Sequence, residues 1–254
     1  MTISEIEKKY RITQDFHTHT TYSRWGLYLH AKGSIMDNAE AAVNAGLNEL
    51  AITDHGPLEI YGLDKNKLGQ MREDIKAAQQ KYPNLKIYLG VESDIMDSPT
   101  GLDVLPEEFK DYDFVNAGYH YGVPKCNMIT NWVAFHLPCS EKFKDKMRKK
   151  NTELVVRALR NNKIKILTHP GDKAYFDMET LAKLCEETGT LVEINAKHKN
   201  PNLEDLKLFA KYNVKFIISS DAHKPSQVGR YAASLDLAFR AGITAERIVN
   251  VTER

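Results

Sequence analysis

No run of about 18 apolar residues occurs in the chain, so no segment reads as a membrane-spanning helix. The opening residues, MTISEIEKKYRI, carry charge where a secretory leader would carry an apolar core, so export is not expected. Cysteine is scarce: Cys126, Cys139 and Cys185 are the only three in 254 residues. They cannot staple a domain of this size, and they fit a reducing, cytoplasmic setting. Neither charge is in excess. Lys plus Arg number 35 against 34 Asp plus Glu, a formal net charge of +1. That balance argues against a partner such as long nucleic acid. Repeats, low-complexity tracts and Pro/Gly/Ser-rich linkers are also missing, so a single domain over residues 1–254 is expected.

What the chain does contain is a core and histidine. It is 42% apolar and 27% charged, which suits a globular domain and not a disordered one. Short apolar runs rich in β-branched residues, each followed by polar residues, read as strands at 12–17, 49–53, 86–92, 113–118, 165–168, 190–195 and 214–219. Runs of that kind are buried on both faces, as in a parallel sheet. Helical periodicity fills the gaps at 35–45, 65–82, 140–161, 178–187, 203–212, 226–241 and 244–249. Asp177 and Asn202 stand where N-caps belong. Ala45-Gly46 and Glu187-Thr188-Gly189 look like helix ends. Strand alternating with helix predicts an α/β domain, and on pattern alone a doubly wound sheet and a closed barrel both remain open.

The nine histidines sit mostly where these strands end. Successive strands run into His17-Thr18-His19, Asp54-His55, Glu92, His120, His169, Glu193-Ile194-Asn195 and Asp221-Ala222-His223. Functional groups at the C-terminal ends of parallel strands are what an α/β active site requires. Residues two apart on a strand share a face, so His17 with His19, and Asp221 with His223, can grip one site. His17, His19, His30, His55, Glu92, His120, His169, Asp221 and His223 make nine potential ligands. A four-coordinate ion cannot use them all, so two or three divalent ions are expected. Imidazole and carboxylate donors suit Zn, Mn or Fe. His30 is the outlier, in the loop after the first strand, where a surface histidine is the alternative.

The motifs Asp15-Phe16-His17-Thr18-His19, Asp54-His55-Gly56, Gly90-Val91-Glu92, Thr168-His169-Pro170-Gly171 and Ser220-Asp221-Ala222-His223 resemble those of the PHP (polymerase and histidinol phosphatase) family, in the family's order. The resemblance implies a distorted (β/α)7 barrel, a trinuclear metal centre and phosphoesterase chemistry. It implies one ion on His17, His19, Glu92 and Asp221. A second would share Glu92 and add His120 and His169. A third would use His30, His55 and His223.

Clustered divalent ions make hydroxide from water near neutral pH and clamp the oxygens of an in-line displacement. The expected reaction is therefore hydrolysis of a small phosphate ester by a metal-bridging hydroxide. Asp15, Glu92 and Asp221 are the expected catalytic carboxylates: Glu92 bridges two ions, and Asp15 orients a ligand imidazole from behind. Arg24 and Lys197 are the expected phosphate contacts, and His198 a rim residue. Residues 121–139 read as a lid or specificity wall. A phosphate monoester is the leading substrate class, with histidinol phosphate as one candidate. A phosphodiesterase or nuclease on short nucleotides, an amidohydrolase-type enzyme and a non-catalytic scaffold are the alternatives. The second alternative often needs a lysine at a mid-barrel strand end, and none follows the fourth strand here.

Overall fold

The computed structural model describes residues 1–254. Its strands, in chain order, are β1 (Tyr10–Ile12), β2 (Gln14–Asp15), β3 (Arg24–Trp25), β4 (Tyr28–Leu29), β5 (Glu49–Ile52), β6 (Lys86–Asp94), β7 (Phe114–Gly118), β8 (Ile166–Leu167), β9 (Leu191–Asn195), β10 (Phe216–Ser219) and β11 (Val251–Glu253). Seven of them form one sheet in the order β2, β5, β6, β7, β8, β9, β10. Every ladder in that sheet is parallel. The sheet curls until β10 lies beside β2. Closure is made just beyond the strands, by a parallel bridge between Thr18 and Ala222 and by the His19 N–H donating to the Ala222 carbonyl at 2.9 Å. The result is a nearly closed seven-stranded barrel, as the family motifs implied.

Side-chain alternation divides the strands cleanly. On β6, Ile87, Leu89 and Val91 belong to the main hydrophobic cluster beneath the helices. Tyr88, Gly90 and Glu92 take the other face and point into the barrel. On β9, Val192 and Ile194 pack outward in the same way, and Glu193 points inward. The barrel interior is layered. Its N-terminal end is plugged by Phe16, Ala51, Ile166 and Ile217, with Tyr88, Phe114 and Leu191 against them. The Phe16 ring lies 5.5 Å from Tyr88 and 5.4 Å from Phe114. The Lys165 ammonium covers this plug, 4.7 Å from the Phe16 ring centre. With one end closed by hydrocarbon, the polar groups collect at the other, where the strands end.

Helices cover the outside. Ser34 starts the helix Ile35–Asn44 with a capping box: its hydroxyl accepts the Asp37 N–H at 3.1 Å, and Asp37 accepts the Ser34 N–H at 2.9 Å. Asp177 and Asn202 do cap the helices Met178–Thr188 and Leu203–Phe209. Other expectations need correction. The strand expected over 12–17 breaks at Thr13: Tyr10–Ile12 pairs antiparallel with β11 to tie the two ends of the chain together, and only Gln14–Asp15 joins the barrel. The helix expected over 226–241 begins only at Ala232, because Gly229 takes φ +76°. Within 121–139 lies a helix, Met128–His136, and Tyr121, Gly122 and Met128 of this segment line the cavity at the strand ends, in keeping with the expected wall. Helix Ile3–Lys9 and the hairpin of β3 and β4 were not anticipated either. Cys126, Cys139 and Cys185 are all free thiols, and no helix is long and apolar enough to cross a membrane.

Candidate metal centre

The barrel brings the expected strand-end ligands to one place. His17, His19, Glu92, His55, His120, His169 and Asp221 are all buried. Two of them sit on strained backbone: His169 has φ +28° and Asp221 has φ +49°, values that non-glycine residues rarely adopt. Such strain marks positions that the surroundings over-determine, and here it turns each side chain inward as its strand ends. Gly118 faces Glu92 and Thr168 so closely that a Cβ there would overlap Thr168 Oγ1, so only glycine fits beside the site.

Glu92 is the centre. Its Oε2 lies 3.1 Å from His17 Nε2, 3.4 Å from His19 Nε2 and 3.2 Å from His55 Nδ1. Its Oε1 lies 3.0 Å from His169 Nε2 and 3.6 Å from His120 Nε2. Asp221 Oδ1 completes the first group, 3.3 Å from His19 Nε2 and 3.8 Å from His17 Nε2. His17 Nε2 and His19 Nε2 are 3.1 Å apart. Bonds of about 2.0–2.2 Å around a tetrahedral ion put its donors ~3.3–3.6 Å apart, close to this spacing. Further out, His223 Nε2 meets His30 Nε2 at 2.9 Å. His55 stands between the groups: its donor atom clusters with His19 and His223 and also with Glu92 and His120.

Hydrogen bonds behind the histidines decide which nitrogen faces inward. His17 Nδ1 donates to Glu193 Oε1 at 2.7 Å, and His120 Nδ1 to Asp94 Oδ1 at 2.5 Å. His223 Nδ1 donates to the Asp221 carbonyl at 2.9 Å. A neutral imidazole with its proton on Nδ1 presents a bare lone pair at Nε2. Those lone pairs face carboxylate oxygens and one another, an arrangement that needs a cation between them. Glu92 Oε2, His19 Nδ1, His55 Nδ1 and His169 Nδ1 are buried without any hydrogen-bond partner. An orphaned carboxylate oxygen in a dry site is costly, and a divalent ion would satisfy it. The residues therefore fit divalent metal.

The titration behaviour agrees. Burial pushes His19 down to about 3 and His30 to about 4, with His223 adding to both. Burial likewise holds His55 and His120 well below the usual imidazole range. Neutral imidazole is the ligating form. His17 is the exception. Burial opposes its charge, yet Glu92, Glu193 and Asp221 around it raise it well above the ordinary value. That corner of the site demands a positive charge.

The other expected residues separate into those the fold brings in and those it does not. Lys197 reaches the centre: its Nζ lies 3.1 Å from His223 Nδ1 and 3.4 Å from Asp221 Oδ1. Arg24 does not. It is exposed on β3, in a separate depression with Tyr22, Asp64 and Lys67, away from the central cavity. The hairpin carries it outward although His19 is near in sequence. Asp15 also departs from expectation. Its carboxylate accepts the backbone N–H of Ser220 at 3.1 Å and of Gly229 at 2.9 Å. It anchors the segment that carries Asp221 and does not touch the His17 ring. β2 ends at Asp15, so the two-residue alternation does not carry across to His17, and Glu193 orients that imidazole instead. His198, expected at the rim, donates toward the site itself, with Nε2 3.0 Å from Asp221 Oδ2 and Nδ1 3.2 Å from Asp172 Oδ2. Those two carboxylates outweigh its burial and raise it to about 9.

Several site residues escaped the sequence reading. Asp94 lies two beyond Glu92 on β6, so the spacing that paired His17 with His19 would also have found it. Lys173, Glu59 and Tyr61 had no local signal, yet all three line the same cavity of about 340 Å³. Tyr61 stacks on His30, with ring centres 4.4 Å apart and planes 8° from parallel. Lys173 is held at φ +63°, and its carbonyl accepts the Tyr121 hydroxyl at 2.6 Å.

Comparison with known proteins gives a consistent picture. The PHP domain family model matches residues 15–221. A probable phosphatase of Thermoanaerobacter sp. (strain X514) is 30% identical over 249 residues, covering 94% of this chain and 91% of that protein. A probable phosphatase of Caldanaerobacter subterraneus subsp. tengcongensis is 28% identical over 253 residues, covering 96% and 89%. Among solved structures, histidinol phosphate phosphatase from Lactococcus lactis subsp. lactis, complexed with Zn, L-histidinol and phosphate, superposes with a TM-score of 0.61. It covers 91% of this chain and 94% of that one at 15% identity, so the likeness is one of fold.

Proposed function

The chain belongs to the PHP domain family, and from that premise we propose that it is a metal-dependent phosphatase hydrolysing a small phosphate monoester in this cavity. The single observation that carries the reading is Glu92, a wholly buried carboxylate with imidazole nitrogens converging on both of its oxygens. Names of the curated relatives support a phosphatase. We assign two to three divalent ions (Zn, Mn or Fe), held by His17, His19, Glu92 and Asp221, by Glu92, His120 and His169, and by His30, His55 and His223. When bound, such ions lower the pKa of a water and neutralise phosphate oxygens in the transition state.

The chain's own residues do the rest. Glu92 bridges two ligand groups and fixes their separation. Glu193 and Asp94 keep His17 and His120 turned with Nε2 inward. Lys197, Lys173 and His198 set positive charge along the cavity wall, where a phosphate dianion enters. A space of about 340 Å³ suits a small molecule and not a duplex. The Lactococcus lactis neighbour carries L-histidinol and phosphate, so histidinol phosphate belongs among the substrates tried. The free thiols suit a cytoplasmic enzyme.

The test is a panel of phosphate mono- and diesters assayed with Mn, Zn and Fe. Monoester turnover that chelation abolishes is expected. Turnover of diesters alone would make the protein a phosphodiesterase, and inertness towards both would leave a scaffold.

A further inference from the structure

The metal ligands and cations leave one acidic side chain of the cavity without a task. Among the carboxylates that line it, Glu92 and Asp221 face imidazoles. Glu59 does not. It is buried in the segment between β5 and the helix Leu68–Lys81, on the wall shared with Ile60, Tyr121 and Gly122. Its Oε2 accepts the backbone N–H of Tyr61. Its Oε1 has neither a hydrogen-bond nor an ion-pair partner, and it lies against Gly122 so tightly that a Cβ there would overlap it.

The segment holding Glu59 is rigid. The Glu59 N–H donates to the Gly56 carbonyl at 3.2 Å, and the Gly62 N–H to the Glu59 carbonyl at 2.8 Å. The Ile60 N–H crosses to the Gly122 carbonyl at 3.1 Å, and the Leu63 N–H returns to His55 at 3.0 Å. Asp103 accepts the Leu58 N–H at 3.1 Å from below. Five ties on so short a loop hold the backbone that carries the Glu59 side chain.

We propose that Glu59 is the proton donor to the leaving oxygen of the phosphate ester, an assignment that rests on the phosphatase reading above. The cationic side chains around it are already engaged: His198 is held by Asp172 and Asp221, Lys197 by Asp221 and His223, and Lys173 by Asp172. In the step, the oxygen of water bonds to phosphorus as the phosphorus–oxygen ester bond breaks. The electron pair of that bond goes to the leaving oxygen, which takes the proton from Glu59 Oε1. The attacking water's surplus proton passes to solvent, and the Glu59 carboxylate later regains one from solvent, so the products are an alcohol and inorganic phosphate.

The surroundings keep the acid protonated in the right range. Burial raises its carboxyl to about 7. The Tyr61 N–H and Lys173 pull it down, while Glu92 and Asp103 push it up. Tyr121 and His120 also line the cavity but carry no negative charge at neutral pH. A carboxyl tuned near the working pH is the form general acid catalysis uses.

The experiment compares Glu59→Gln with the wild type, both fully metal-loaded, on an alkyl phosphate and on p-nitrophenyl phosphate. A nitrophenolate leaves without help, whereas an alkoxide needs a proton. The aryl-to-alkyl ratio of kcat is expected to rise by about 10²–10⁴-fold in the variant. An equal loss on both esters, or no loss on either, overturns the assignment while wild-type turnover leaves the phosphatase reading standing. A wild type that turns over neither ester overturns both. If Glu59→Gln loses metal or fold, a leaving-group series on the wild type decides. A shallow dependence of kcat on leaving-group acidity supports the proton donor, and a steep one overturns it.

Discussion

Glu193 Oε1 lies 2.7 Å from His17 Nδ1, across 176 residues of sequence, and this contact turns the other nitrogen of His17 toward Glu92 and Asp221. The same carboxylate accepts the His169 backbone N–H at 2.8 Å through Oε2. One buried side chain thus sets two ligand-bearing segments. Replacing Glu193 with Gln keeps the size but removes the charge that favours a proton on Nδ1. Metal affinity is expected to fall by about 10–100-fold, measured by competition with a chromogenic chelator, with little change in far-UV circular dichroism.

His17 and His19 supply the first group with two of its four donors. The double substitution His17→Ala, His19→Ala is expected to reduce metal content and abolish phosphatase activity while leaving a folded barrel. Elemental analysis and circular dichroism check both halves. Full activity in metal-replete buffer would remove the metal reading altogether.

Removing metal from the wild type has its own signature. Without a cation, lone pairs of His17, His19 and Glu92 face each other in a dry site, so the apo protein should be less stable. Ions present at 100-fold above Kd would stabilise by about 2.7 kcal/mol. Thermal unfolding with and without chelator should show Tm rising with added Mn or Zn and not with Mg at the same concentration.

Lys197 and Arg24 were equal candidates for phosphate contact, and the fold separates them. A hydrogen bond to a charged group contributes about 1.5–3 kcal/mol, so Lys197→Ala is expected to lower kcat/KM by about tenfold to a hundredfold. Arg24→Ala, outside the cavity, should leave the kinetics within about twofold of wild type, as exposed charges contribute little. Steady-state assays on one monoester measure both.

Phe16 tests the apolar plug independently of the chemistry above it. Its ring packs against Tyr88 and Phe114 and is almost wholly buried. Phe16→Ala should destabilise by about 3–5 kcal/mol through lost burial and the cavity left behind, read from urea unfolding. The neighbouring ligand His17 makes metal content the control: a larger fall in stability than in stoichiometry is the expected pattern.

Much of this was legible along the chain, for a physical reason. A strand buried on both faces must be apolar, so most of the seven barrel strands announced themselves locally. The candidate ligands follow those strands within a few residues, and an HxH or Asp-Ala-His spacing carries its own geometry. Even so, alternation misled at Asp15, because β2 ends there and the regular ladder does not extend to His17.

Sequence alone determined which residues could serve as metal ligands and roughly where each strand stops, because both depend on neighbours close along the chain. Only the tertiary structure decided the pairings: Glu193 with His17, Asp94 with His120, Tyr61 with His30, and Glu59 left free beside Gly122. These contacts form when barrel closure brings distant strand ends and loops to one rim. Hydrogen-bond direction and burial then assign each buried side chain its task, and neither is written in the spacing of a single segment.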